Sequence, residues 1–154
     1  MPAYSRPGCR ALRKGRFSQR NGVYFITVVT HRRNPWFQDF ALARLMCRNL
    51  LHPAALADAT NLCNVVMPDH IHVLLELRDV PLQRVLNRLK SRSAVTLNRE
   101  IGRGGRFWAP GYYDHALRAD EDLQGIARYI VANPLRAGLV QRIGDYPYWN
   151  AVWL

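Results

Sequence analysis

An α+β fold is predicted for this chain: a ferredoxin-like βαββαβ antiparallel sheet followed by an additional C-terminal helix that carries a tyrosine. Three observations predict it. Runs rich in β-branched and aromatic residues stand at 22–30, 64–67, 70–77 and 112–118, and Pro68-Asp69 between the second and third is turn chemistry for a hairpin. Two stretches between these runs, opening at Asp39 and at Pro81, repeat their apolar residues at helical spacing. Finally, 154 residues, 49% of them apolar and without an internal repeat, suit one domain with a real core.

In chain order, residues 1–21 hold Arg6, Arg10, Arg13, Lys14, Arg16 and Arg20 among Pro, Gly and Ser, with no apolar periodicity. This reads as a basic arm able to follow a phosphate backbone. Gly22 to Thr30 is a central strand. From Asp39, Leu42, Leu45, Met46, Leu50 and Leu51 mark an amphipathic helix that ends near His52-Pro53, with 54–59 as a linker. The hairpin of 64–77 follows. Asp79-Val80-Pro81 opens a long helix with Leu82, Val85, Leu86, Leu89, Leu97 and Ile101 as its apolar stripe and Gly102 close to its end. On its other face Arg84, Arg88 and Arg92 fall at i, i+4 and i+8, with Lys90 and Arg99 beside them.

The loop 102–111 combines Arg103 and Arg106 with Phe107 and Trp108, rings able to stack on bases, although Trp108 equally suits a core plug. Tyr112 to Arg118 reads as the fourth strand. Asp120 is expected to cap a helix that buries Leu123, Ile126 and Ile130, with Tyr129 beside that stripe and Gly125 clearing space next to its ring. Pro134 breaks this helix. One more turn reaches Gly138, and the aromatic tail with Tyr146, Tyr148, Trp149 and Trp153 is expected to pack back on the domain or cover a site. The organisation is then a basic arm (1–21), the domain (22–145) and an aromatic tail (146–154).

A formal charge of +11, with 20 of 22 basic residues arginine, predicts a polyanionic partner, nucleic acid before membrane. No stretch approaches the length of a membrane span and the N-terminus lacks the apolar run of a signal peptide, so a cytoplasmic location is expected. Cys9, Cys47 and Cys63 are odd in number and lack metal-ligand spacing, which argues for reduced thiols.

The sharpest chemical signal is His70-Ile71-His72. Alternate residues of a strand share a face with Cα atoms roughly 6.5 Å apart, close enough for two imidazoles to reach one ion. A lone His-x-His also fits polar residues at a strand's mouth. His115 and Asp114 read as structural strand-end residues, and His31 and His52 as surface loop residues.

Three stretches in order carry a likeness beyond this: Met67-Pro68-Asp69-His70-Ile71-His72-Val73-Leu74, then 107–118 with Gly111-Tyr112-Tyr113-Asp114-His115, and Tyr129-Ile130-Val131-Ala132-Asn133-Pro134-Leu135-Arg136-Ala137-Gly138. With them the chain resembles the HUH single-strand DNA transferases, specifically the Y1 transposases of the IS200/IS605 type and most of all their REP-associated relatives. The resemblance implies a tyrosine, Tyr129, that attacks a DNA phosphodiester and leaves a 5′-phosphotyrosine and a free 3′-hydroxyl. It implies that His70 and His72 hold a divalent ion. Asn133, one turn after Tyr129, stands where the IS200-type enzymes use Gln as a further ligand, although Asn before Pro also fits a helix N-cap.

A phenol with a pKa near 10 is roughly 0.1% ionised at pH 7, so it needs a metal or base nearby to become a good nucleophile. Mg²⁺ or Mn²⁺ is the expected cofactor, with Mn²⁺ the tighter because imidazole suits it better. The implied partner is single-stranded hairpin DNA. The candidates to grip it are Arg13, Lys14 and Arg16 of the arm, Arg84, Arg88, Lys90 and Arg92 of the helix, and Arg103, Arg106 and Trp108 of the loop. Monomer and homodimer are both open. Two other classes compete: a DNA-binding module that does not cut, and a hydrolytic phosphodiesterase, which needs carboxylate ligands that are sparse around the motif. Of the three, only the transferase forms a covalent protein–DNA adduct.

Overall fold

The computed structural model describes residues 21–153. Its elements are β1 (Val23–Val29), α1 (Phe40–Leu51), β2 (Ala59–Met67), β3 (His70–Leu77), α2 (Leu82–Ile101), β4 (Tyr113–Ala116), α3 (Leu123–Val131), α4 (Asn133–Arg136) and β5 (Trp149–Ala151). The strands form one antiparallel sheet in the order β4-β1-β3-β2-β5, the predicted βαββαβ arrangement with one strand added at its edge. That added strand comes from the aromatic tail. Val66 N–H donates to the Tyr148 carbonyl (2.8 Å) and the buried Tyr146 hydroxyl donates to the Val66 carbonyl (2.6 Å), so residues 146–151 are integral to the sheet.

The period of two along each strand sorts side chains into two layers. Tyr24, Ile26, Val28, Ile71, Val73, Leu75 and Leu77 pack against the apolar stripes of α1 and α2. The opposite face sets Cys63, Val65, Met67 and Leu74 against Ala127, Ile130 and Val131 of α3, and against Tyr146 and Ala151. Cys47 and Cys63 are free thiols, and burial pushes them up to about 11 and about 12 respectively. Among the described residues no helix is long and apolar enough to cross a membrane.

The helix ends follow local chemistry. Asp39 caps α1 by accepting the Leu42 N–H (3.0 Å), and Gly102 closes α2 at φ 76°, a left-handed conformation that glycine adopts without a Cβ penalty. The cap of α3 differs from expectation. Asp122, not Asp120, is the N-cap: its backbone is extended and its carbonyl takes the Ile126 N–H (3.0 Å), while Asp120 sits exposed beside Arg118. The role expected of Gly125 also changes, because a Cβ there would lie 2.5 Å from Asp122 Oδ2. The missing side chain makes room for that carboxylate rather than for the tyrosine ring.

Candidate active site

The hairpin turn at Pro68-Asp69 delivers both histidines to the face of the sheet on which α3 lies. Register places His72 between Thr27 of β1 and Val65 of β2, and His70 between Val29 and Met67. Their Nε2 atoms converge to 3.2 Å. Each Nδ1 is held from behind, His70 by Asp69 Oδ1 at 2.6 Å and His72 by the Thr27 hydroxyl at 2.8 Å. Such outer partners fix ring orientation in imidazole metal sites.

Asp69 also pairs with Arg33 at 3.1 Å. Burial works against its ionised form, but the hydrogen bonds and charges of His70 and Arg33 prevail and hold this carboxyl below its usual range. His72 is pushed down to about 3, first by burial, then by the positive fields of His70 and Arg136, with Asp69 opposing. It is therefore neutral at pH 7 and keeps a ring lone pair for a ligand. Two nitrogens 3.2 Å apart match the edge of a coordination shell with bonds of about 2.1–2.2 Å. Among the described residues no cluster of three or more His, Cys, Asp or Glu could hold a metal ion.

The tyrosine comes from the next layer. Tyr129 is half-buried on α3, and the Arg136 guanidinium lies 3.8 Å from its ring centroid while donating to the Tyr129 carbonyl at 2.8 Å. Through Ala127, Ile130 and Val131 the tyrosine helix packs on Val65, Met67 and Leu74, on the sheet face that carries the histidines. Asn133 is helical, with Ala132 as the N-cap of α4, so the N-cap alternative does not hold. Pro134 has no N–H to give the Ile130 carbonyl, and Asn133 Nδ2 supplies the missing donor at 2.8 Å. Only its Oδ1 is left to face a ligand.

The candidate cations separate into several groups. Arg84 and Arg92 are exposed on α2, in the layer across the sheet from the histidines. Arg88 pairs with Asp58 at 2.9 Å. Lys90 is turned inward, its ammonium donating to the carbonyls of Ala109 (2.8 Å) and Gly111 (2.7 Å), which fastens the loop to α2 instead of reaching outward to a phosphate. Arg103 donates to the Gly104 and Arg106 carbonyls and covers the Trp36 ring at 5.2 Å, and Arg106 is exposed. Trp108 is buried against Phe107 and Phe37 with its indole N–H on the Ser93 hydroxyl (2.9 Å), so the core-plug alternative holds and the ring is closed to bases. Arg13, Lys14 and Arg16 lie outside the described residues.

The structure thus brings His70, His72, Tyr129 and Asn133 to one face and leaves the α2 cations on the other. Sequence reasoning missed Thr27, Asp69 and Arg136 as parts of the site. Arg136 was detectable in principle, seven residues and two turns after Tyr129 on the same side. Thr27 was not, because only strand pairing sets it opposite His72.

A ferredoxin-like sheet that presents a histidine pair to a tyrosine helix defines a class, and comparison with known proteins agrees with it. Residues 18–133 match the family described as IS200-like transposases, and the chain belongs to this family of enzymes. A Haemophilus influenzae protein provisionally named a REP-associated tyrosine transposase is 26% identical over 146 residues, covering 84% of this chain and 79% of the relative. The REP-associated tyrosine transposase of Escherichia coli is 26% identical over 86 residues, 54% of this chain and 49% of the relative. Among solved structures, a REP-associated tyrosine transposase bound to a REP hairpin superposes with a TM-score of 0.70 at 22% identity, covering 87% of this chain and 79% of that one.

Proposed function

We propose that this chain breaks and rejoins single-stranded hairpin DNA of the REP type by transesterification. The Tyr129 hydroxyl attacks a phosphodiester in line; a phosphotyrosine bond forms to the 5′ side, and the 3′ oxygen leaves as a hydroxyl after taking up a proton. Attack of that or another 3′-hydroxyl on the phosphotyrosine reverses the step, so the bond count is conserved and no nucleotide cofactor is required. The observation that carries this reading is the convergence of the His70 and His72 Nε2 atoms, at 3.2 Å, on the face under the Tyr129 helix.

His70 and His72 would hold a divalent ion, with Asn133 Oδ1 as the candidate third protein ligand and Mn²⁺ bound more tightly than Mg²⁺. When bound, that ion supplies charge neutralisation for the phosphate and favours ionised oxygen. The chain's own groups do the positioning: Asp69 and Thr27 orient the imidazoles, and Arg136 stacks on the Tyr129 ring, holding the nucleophile and adding positive charge beside it. Exposed Arg84, Arg92 and Arg106, with the basic arm, are candidates to contact phosphates of the hairpin.

The test is a denaturing gel of the protein and Tyr129→Phe, each incubated with labelled hairpins from beside its own gene, with Mn²⁺ or Mg²⁺. A shifted covalent band lost in Tyr129→Phe and on chelation is the expected result. Salt-sensitive binding without any adduct across several hairpins would replace this reading with a binding-only one, and metal-dependent cleavage that survives Tyr129→Phe would replace it with hydrolysis.

A further inference from the structure

The tyrosine helix rests on one half of the sheet and is reached from the other. Ala127, Ile130 and Val131 of α3 pack on residues of β2, β3 and β5, whereas the chain enters α3 from β4, the strand at the opposite edge. Residues 117–122 make that crossing. Leu117 N–H still donates to the Val23 carbonyl at the start of β1 (2.8 Å), and α3 begins six residues later at Leu123.

One carboxylate shapes the crossing. Glu121 accepts the Arg118 N–H on Oε2 and meets His115 Nε2 with Oε1 at 3.3 Å, while its own N–H donates to the Arg118 carbonyl at 3.1 Å. Of three consecutive acids only this one turns inward: Asp120 and Asp122 are exposed, whereas the Glu121 side chain is 22% exposed. The Arg118 N–H is the main reason that its carboxyl is held below the usual range, against burial and with help from His115, so it is ionised at pH 7 and only accepts. The proton shared with His115 therefore sits on Nε2.

His115 in turn stands on the sheet face of the histidine pair. Register sets it opposite Phe25, and the Phe25 ring meets the His72 imidazole edge-on at 5.4 Å between centroids. Opposite residues of paired strands share a face, so His115, Phe25 and His72 form a row from the sheet edge to the candidate metal ligands. The entry of the tyrosine helix and the imidazoles are thus fixed to one frame. From Asp122 to Tyr129 the helix runs roughly 10 Å, and a tilt of about 6° at its start displaces the far end by about 1 Å. A misplacement of that size is worth about a hundredfold in rate.

We propose that His115 and Glu121 are a positioning pair that sets the angle of α3 and with it the reach of the Tyr129 hydroxyl to the phosphate. The proposal rests on the transferase reading above and adds that a contact remote from the reacting atoms governs the chemical step rather than DNA binding.

A time course of adduct formation on the denaturing gel, with the full chain saturating one labelled hairpin in Mn²⁺, tests it beside hairpin affinity by fluorescence anisotropy. His115→Leu removes the donor and should slow adduct formation about tenfold while affinity stays within about twofold. His115→Asn, polar but too short to reach Glu121, should do the same and covers the case in which the leucine variant fails to fold. His115→Gln sets an amide N–H about where the imidazole Nε2–H stands and should restore most of the rate. Hydrogen exchange reads the geometry without the reaction: amides of 118–126 should lose protection in His115→Asn and regain it in His115→Gln. No rescue by His115→Gln, or affinity that falls as far as the rate, would overturn the pair. The gel separates the two ideas: no adduct from the native chain on any hairpin removes the transferase reading and the pair with it, whereas adduct formed at one rate by the native chain and His115→Asn removes the pair alone.

Discussion

His72 is a residue whose protonation the fold forbids. Its pKa falls from 6.5 to about 3, through burial first and neighbouring positive charge second, so between those values the unfolded chain binds a proton that the folded chain does not. Stability is therefore fully present above pH 6.5 and declines as pH falls through this window, by about 1.4 kcal/mol per unit from this group. Asp69 acts in the same direction lower down, since a carboxyl held below its usual range contributes stability that is lost as acid protonates it. In metal-free protein, thermal unfolding at pH 7.5 and pH 5 should separate the native chain from His72→Asn: the native chain loses more stability on acidification, and parallel losses would show that His72 does not carry the dependence.

At the scale of elements, the tyrosine helix survives Pro134 because Asn133 substitutes for a backbone donor. Asn133→Ala removes the side-chain donor and leaves the Ile130 carbonyl only the backbone N–H at the helix cap, which should cost about 0.5–1.5 kcal/mol. Adding Pro134→Ala restores an N–H at the right place and should recover most of that loss, a coupling readable in urea unfolding; additive losses would refute the substitution. Lys90 has a similar structural office, since its ammonium joins α2 to the 102–111 loop. Lys90→Met should lower stability by about 2 kcal/mol through two lost charge-assisted bonds. Its position on the cationic helix face suggests a phosphate contact, but helical spacing reveals a residue's side and not whether a neighbouring loop folds over it.

For the molecule as a whole, a net charge of +11 predicts hairpin affinity that falls steeply and log-linearly with salt. Arg92→Ala should shallow that slope by about 0.7–0.9, one phosphate contact, whereas Lys90→Met should leave it unchanged; anisotropy titrations across a salt series would read both, and equal slopes for Arg92→Ala and the native chain would discard Arg92 as a contact. The element order, the hairpin, the boundaries of α1 and α2 and the placing of two histidines on one strand face follow from the sequence alone, because periodicity, caps and turn residues are local. The family was legible too, in three short motifs kept in order. What only the tertiary structure decided is non-local: β5 at the sheet edge, Trp108 closed in the core, and Thr27 behind the His72 imidazole. Each of these depends on which strand or loop lies opposite. That choice is made by pairing register and burial across the whole sheet, and a linear pattern does not carry it.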